Sequence, residues 1–169
     1  MAVIIKDFNP KLITNFEAER ARLISFLGDQ YTIEHVGSSA AHIGGKNIID
    51  ILIGAKNYAA MRNASKILVK HGYYDGHDNH PDRIFMASST KETGEGDYHL
   101  HICIFGSSTY RDFIILRNYL LDNPAIASAY LSAKQSFATQ ANYDRKKYKA
   151  LKSEYVAKLL EAAKRPLVK

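Results

Sequence analysis

Residues 33–53 read IEHVGSSAAHIGGKNIIDILI, and the order of events inside this stretch decides the fold. Up to Val36 the chain is β-branched and alternating, as a strand with one buried face requires. Gly37, Ser38 and Ser39 then break it with a turn that opens a short helix. The run IIDILIGA, residues 48–55, follows almost without a polar side chain and reads as a central strand. The turn offers free backbone N–H groups and two hydroxyls, which suit an anionic phosphate, and Gly37 has no side chain to keep a ligand off the backbone. Asp50 is the one carboxylate among Ile48, Ile49, Ile51, Leu52 and Ile53. Burying it uncompensated is costly, so it calls for a metal, a basic partner or the strand's edge. Pairing with a lysine or capping a nearby turn would answer it as well.

Outward from this stretch, Asn9 and Pro10 read as an N-cap and first helical position, and Leu12, Ile13, Phe16, Leu23, Ile24 and Leu27 carry an amphipathic helix to Gly28. Residues 58–71 suit a second helix with Met61, Ile67 and Leu68 inward, ending at Gly72. Residues 83–87 and 98–105 suit two further strands, joined by a hairpin loop rich in Gly, Asp and Thr. From Thr109 the pattern is helical throughout: 110–122, 124–140 and 144–163, the last with Tyr148, Leu151, Tyr155, Val156 and Leu159 in one stripe. There is no repeat or linker. The order implies an α/β (α+β) chain forming a single domain over residues 1–169, with a mixed sheet and a helical half packed on it.

A chain of 169 residues, 46% hydrophobic and 24% charged, can bury a core without disulfides or structural metal. No apolar run is long enough to span a membrane and no signal-peptide pattern opens the chain, so a cytoplasmic protein with no membrane partner is expected. Cys103 is the single cysteine, which excludes an internal disulfide and suits a small buried hydrophobe. The net charge of +6 favours anionic partners. Much of it sits at Arg145, Lys146, Lys147, Lys149, Lys152, Lys158, Lys164, Arg165 and Lys169. Such a run is either a solvated helix face or a surface for nucleic acid or an acidic partner.

A Gly-Ser turn followed by an aspartate inside an apolar strand resembles the signature of the DNA polymerase β-like nucleotidyltransferases. More closely, EHVGSSA, KNIIDILI, HLH (residues 99–101) and the C-terminal run resemble the GrpB family. The match continues through Arg83-Ile-Phe85, Leu116-Arg-Asn-Tyr119-Leu, Pro124 with Tyr130 and Lys134, and Tyr148 with Lys152. The resemblance implies a nucleotidyltransferase-like mixed β-sheet flanked by helices, with turn and aspartate side by side. Fusion of some relatives to dephospho-CoA kinase associates the family with nucleotide or coenzyme A metabolism.

The superfamily it resembles carries two acids one residue apart on the strand, gripping two divalent metals. Here the pair is Asp50 and Leu52, so either catalysis has been lost and binding kept, or other ligands replace the missing acid. His99 and His101, two apart on a strand, project from one face and suit a transition metal such as zinc or nickel, or manganese, better than magnesium. Glu34 or His35, on opposite faces of the preceding strand, could add a ligand. The histidines could equally hydrogen-bond across the sheet or to Asp50. Arg83, Arg117, Lys134 and Lys152 fall in family-like motifs and, with Lys46 of the GGKN loop, could complete a phosphate site around Gly37, Ser38 and Ser39. Three readings follow. The chain transfers a nucleotidyl group with a divalent metal on Asp50; it only binds a nucleotide, coenzyme A-like ligand or RNA; or it meets an acidic partner through residues 145–169.

Overall fold

The computed structural model of the chain describes residues 2–77, 80–88 and 98–165. Five strands form one sheet: β1 (Thr32–Val36), β2 (Ile49–Ala55), β3 (Tyr74–Asp75), β4 (Ile84–Ala87) and β5 (Tyr98–Ile104), in the order β1-β2-β5-β4-β3. β2 and β5 are parallel; the other pairings are antiparallel. The sheet is therefore mixed, and β2 is interior, as its unbroken apolar run predicts. The two-residue β3 is too short to leave a periodicity and was not legible. Most of the expected hairpin loop before β5 lies outside the described residues.

Helices α1 (Lys11–Leu27) and α3 (Tyr58–Lys70) cover one face of the sheet. Leu12, Phe16, Leu23 and Leu27 of α1 and Met61, Ala64 and Leu68 of α3 pack on Ile49, Ile51, Ile53, Leu100 and Ile102. Asn9 Oδ1 accepts from Lys11 N at 3.1 Å, so it caps α1 as expected, although the regular helix begins one residue after Pro10. Asn57 caps α3 through Ala60 N. The opposite face meets α4 (Ser108–Asp122), where Tyr110, Phe113 and Ile114 lie over Val36, Leu52 and Cys103. Because side chains alternate along a strand, Asp50, Leu52, His99, His101 and Cys103 share this second face. Cys103 is fully buried, and burial raises its thiol pKa to about 11, which makes it an inert core residue.

Helices α5 (Pro124–Gln140) and α6 (Arg145–Lys164) complete the helical half. Leu120, Tyr130 and Leu159 bury Ala41 and Ile43, so the segment after the Gly-Ser turn packs on these helices. The chain's first residues lace the two halves together. Val3 N donates to Tyr143 O at 3.1 Å, Lys6 and Gly45 exchange backbone bonds at 2.8 and 2.9 Å, and Val3 is buried with Ala138, Ala141 and Tyr148. Among the described residues no helix is long and apolar enough to cross a membrane.

Candidate functional site

Gly37, Ser38, Ser39 and Ala40 form a four-residue helix, α2, between β1 and β2. Gly37 has φ +73°, and a Cβ built there would lie 2.5 Å from Asp50 Oδ2. The glycine is thus required by the aspartate: the space expected for a ligand's close approach is filled by the Asp50 carboxylate. On its other side Asp50 Oδ1 lies 3.3 Å from His101 Nε2 and 3.4 Å from His99 Nδ1. Turn, lone acid and paired imidazoles therefore share one corner. Phe85 stacks on the His101 ring and Phe113 packs against it at a tilt, and the buried Nδ1 has no hydrogen-bond partner among the described residues.

Burial raises the pKa of Asp50, but the bonds from His101 and His99 outweigh it and hold the carboxyl well below the usual range. The acid is ionised. Burial lowers the pKa of His101 despite Asp50, so this imidazole is held towards its neutral form. Each imidazole–carboxylate separation is long for a hydrogen bond. It is close to the ~3.3 Å between two ligands bound at about 2.0–2.1 Å to a tetrahedral zinc. Among the described residues, however, no group of three or more His, Cys, Asp or Glu side chains is disposed to hold a metal ion as it stands.

Lys134 enters the same corner from α5. Its side chain is only 2% exposed, and Nζ donates to Ser38 Oγ at 3.0 Å and to the Gly44 carbonyl, over the face of Tyr130 at 4.7 Å. Burial, with Lys152 nearby, lowers its pKa to about 7; Asp50 opposes the shift. Tyr130 also bonds to Ser38 through its hydroxyl, and burial pushes that hydroxyl's pKa up. No carboxylate pairs with Lys134 among the described residues. Tyr130 and the Gly44 carbonyl were given no role from the sequence. The spacing of Tyr130 and Lys134, one helical turn apart, was the signal that could have paired them.

The other candidates are placed apart. His35 points to the α1 face, stacked on Phe16 with Nε2 2.9 Å from Ser39 Oγ, so it does not join Asp50. Glu34 stands on the Asp50 face, but its carboxylate is taken by Arg117 at 2.8 Å; Arg117 also donates to His35 O. Arg83 lies over the Phe113 ring at 5.8 Å and is felt by His101, while Lys46 is half-buried in the loop beside Gly45. His42 and His71 stack on Phe8 and Phe26 outside the corner. A cleft of about 410 Å³ opens next to the corner's loop, between Ala41, Ile43, Leu120, Pro124 and Leu131.

The sheet order, the turn against Asp50 and the helices behind it define a nucleotidyltransferase-like domain with a single acid on its site strand. A chain of the GLD-2/RNP-8 complex shares this fold, with a TM-score of 0.58 at 11% identity over 85% of this chain and 57% of that one. The chain belongs to the GrpB protein family, whose model matches residues 2–162. The crystal structure of conserved protein GrpB from Enterococcus faecalis superposes with a TM-score of 0.83 at 25% identity, covering 95% of this chain and 96% of that one. A UPF0157 protein of Deinococcus radiodurans is 32% identical over 149 residues, 88% of this chain and 75% of the relative.

Proposed function

We propose that the corner binds a nucleotide or another phosphate-bearing ligand together with a divalent metal. The observation that carries this is the buried Lys134, held on the Ser38 hydroxyl with no carboxylate among the described residues paired to it, beside an ionised Asp50. A buried cation wants an anion and a buried carboxylate wants a cation. A metal-bound phosphate supplies both: its oxygens meet Lys134, Ser38 and the turn amides, and its metal meets Asp50, while the buried Ser39 hydroxyl stays on His35, away from the corner. His99 and His101 are the nitrogen donors closest to Asp50, which favours zinc, nickel or manganese over magnesium. Such a metal completes its shell from phosphate oxygens, since the side chains alone make no closed cage. Lys152 beside Lys134 adds positive potential. Arg117, held on Glu34, and Arg83, over Phe113, lie further out, where they tune the field, and Lys46 stands in the loop next to Gly45.

Calorimetry with a nucleoside triphosphate, with and without manganese or zinc, tests this reading. Metal-dependent binding is expected in the unaltered protein and its loss in Asp50→Asn. Equal affinity in the two proteins rules the role out.

A second reading, transfer of a nucleotidyl group, is favoured by Asp50 being held ionised on the strand that follows the Gly-Ser turn. It is weakened by Leu52, which puts a fully buried hydrocarbon where a second acid would stand. Pyrophosphate release from a nucleoside triphosphate with metal present decides between transfer and binding alone.

A further inference from the structure

The positive charge of the molecule is unevenly answered. In the second half of α6, Lys158 meets Glu154 at 2.8 Å and Lys164 meets Asp112 at 2.6 Å, while elsewhere Arg117 meets Glu34 and Arg22 meets Glu19. The first half of α6 differs. Arg145, Lys146, Lys147 and Lys149 are exposed and Lys152 is half-buried; among the described residues none of them pairs with a carboxylate. Arg145, Lys146 and Lys147 fill the first turn, the positive end of the helix dipole, where cations are disfavoured, and Asp144, the N-cap accepting from Lys147 N at 2.8 Å, is the acid beside them. This half-helix carries charge that works against its own folding and that a bound polyanion would offset.

The face has a direction. Arg145, Lys149 and Lys152 are spaced four and three apart, so they line one side of α6. Lys152 is felt by Lys134, whose ammonium reaches Ser38. The N-terminal segment measures the distance covered. Val3 is bonded to Tyr143 at the head of α6, and Lys6 to Gly45 in the corner's loop. Three residues span at most about 11 Å. Tyr143, 48% exposed, lies two residues before the first residue of α6.

We propose that this face of α6 is a track for single-stranded nucleic acid whose terminus enters the Asp50–Lys134 corner, so that the phosphate-bearing ligand is the end of a polynucleotide. The proposal rests on the corner being a phosphate site. Successive phosphates along the face meet Arg145, Lys149 and Lys152, and an unpaired base stacks on Tyr143. A single strand is specified rather than a duplex, because only a single strand offers Tyr143 an unpaired base.

The test is fluorescence anisotropy with a labelled single-stranded RNA over a range of salt. Each neutralised phosphate contributes about −0.7 to the slope of log affinity against log salt. The triple variant Arg145→Gln, Lys146→Gln, Lys149→Gln removes two contacts of the track and their exposed neighbour Lys146, and should bind at least about tenfold more weakly, with a slope shallower by at least about 1.4. Lys149→Gln alone, a milder change, should remove about one contact's worth. Tyr143→Ala should weaken binding without changing the slope. An unchanged slope in the triple variant, or equal binding of duplex RNA or of anionic lipid vesicles, overturns the proposal. Mononucleotide calorimetry on the same proteins keeps the two readings apart. Mononucleotide binding without RNA binding overturns the track alone. RNA binding with the expected slope but no mononucleotide binding overturns the corner reading, and with it the entry of the terminus.

Discussion

Replacing Gly37 with alanine would put a methyl group 2.5 Å from Asp50 Oδ2 in a backbone conformation, φ +73°, that L residues disfavour. Strain and contact together should cost about 2 kcal/mol or more in urea unfolding. The displaced carboxylate should take metal-dependent nucleotide affinity with it. His35 behaves differently, because burial, helped by Arg117 and His42 and opposed by Asp50, lowers its pKa to about 4. Below its unfolded value near 6.5 the unfolded chain takes up a proton that the folded chain refuses. Stability should therefore fall as pH drops from about 6.5 to 4, by ~3 kcal/mol for this residue alone. His35→Gln, which can keep the bond to Ser39, should flatten that dependence in chemical denaturation. Lys134 gives the opposite window. Its ammonium is present below about pH 7 and lost above it, so phosphate affinity should decline as pH rises beyond that point. Lys134→Met should bind weakly at every pH, and calorimetry across the range reads the difference.

At the scale of elements, β2 explains both what could be read in advance and what could not. Its apolar run announces an interior strand, and the two-residue period of β5 puts His99 and His101 on one face, beside Asp50. Gly37-Ser38-Ser39 reads as a turn because nothing else tolerates that break. Residues close in sequence were thus legible. The bond from Lys134 to Ser38 spans 96 positions and depends on how α5 lies on the sheet, which no local pattern encodes. His35 was ambiguous for the same reason: alternation gives it a face but not the Phe16 ring that occupies that face. Leu52 shows how an element fixes chemistry. It lies under Tyr110 and Phe113 of α4, so Leu52→Asp would bury a second acid against hydrocarbon and not restore a metal pair. A loss of about 3 kcal/mol or more in thermal or urea unfolding is expected, with no gain of pyrophosphate release.

At the scale of the whole molecule, the first residues hold the sheet half and the helical half in register around the corner. Deleting residues 1–6 removes the buried Val3, worth about 1.5–3 kcal/mol, and the bonds that fix Gly45 beside Lys134. The melting temperature should drop by several degrees and nucleotide affinity should fall with it; an unchanged affinity would show that the corner stands without this lacing. The same feature orders events during synthesis. The strands and their two covering helices are complete once residue 104 has left the ribosome, whereas Val3 has no seat until Tyr143 has followed. Residues 3–6, made before the sheet, are thus among the last to settle, and a nascent chain stopped short of Tyr143 has every strand of its sheet yet lacks Lys134 and the lacing that complete the corner around Asp50.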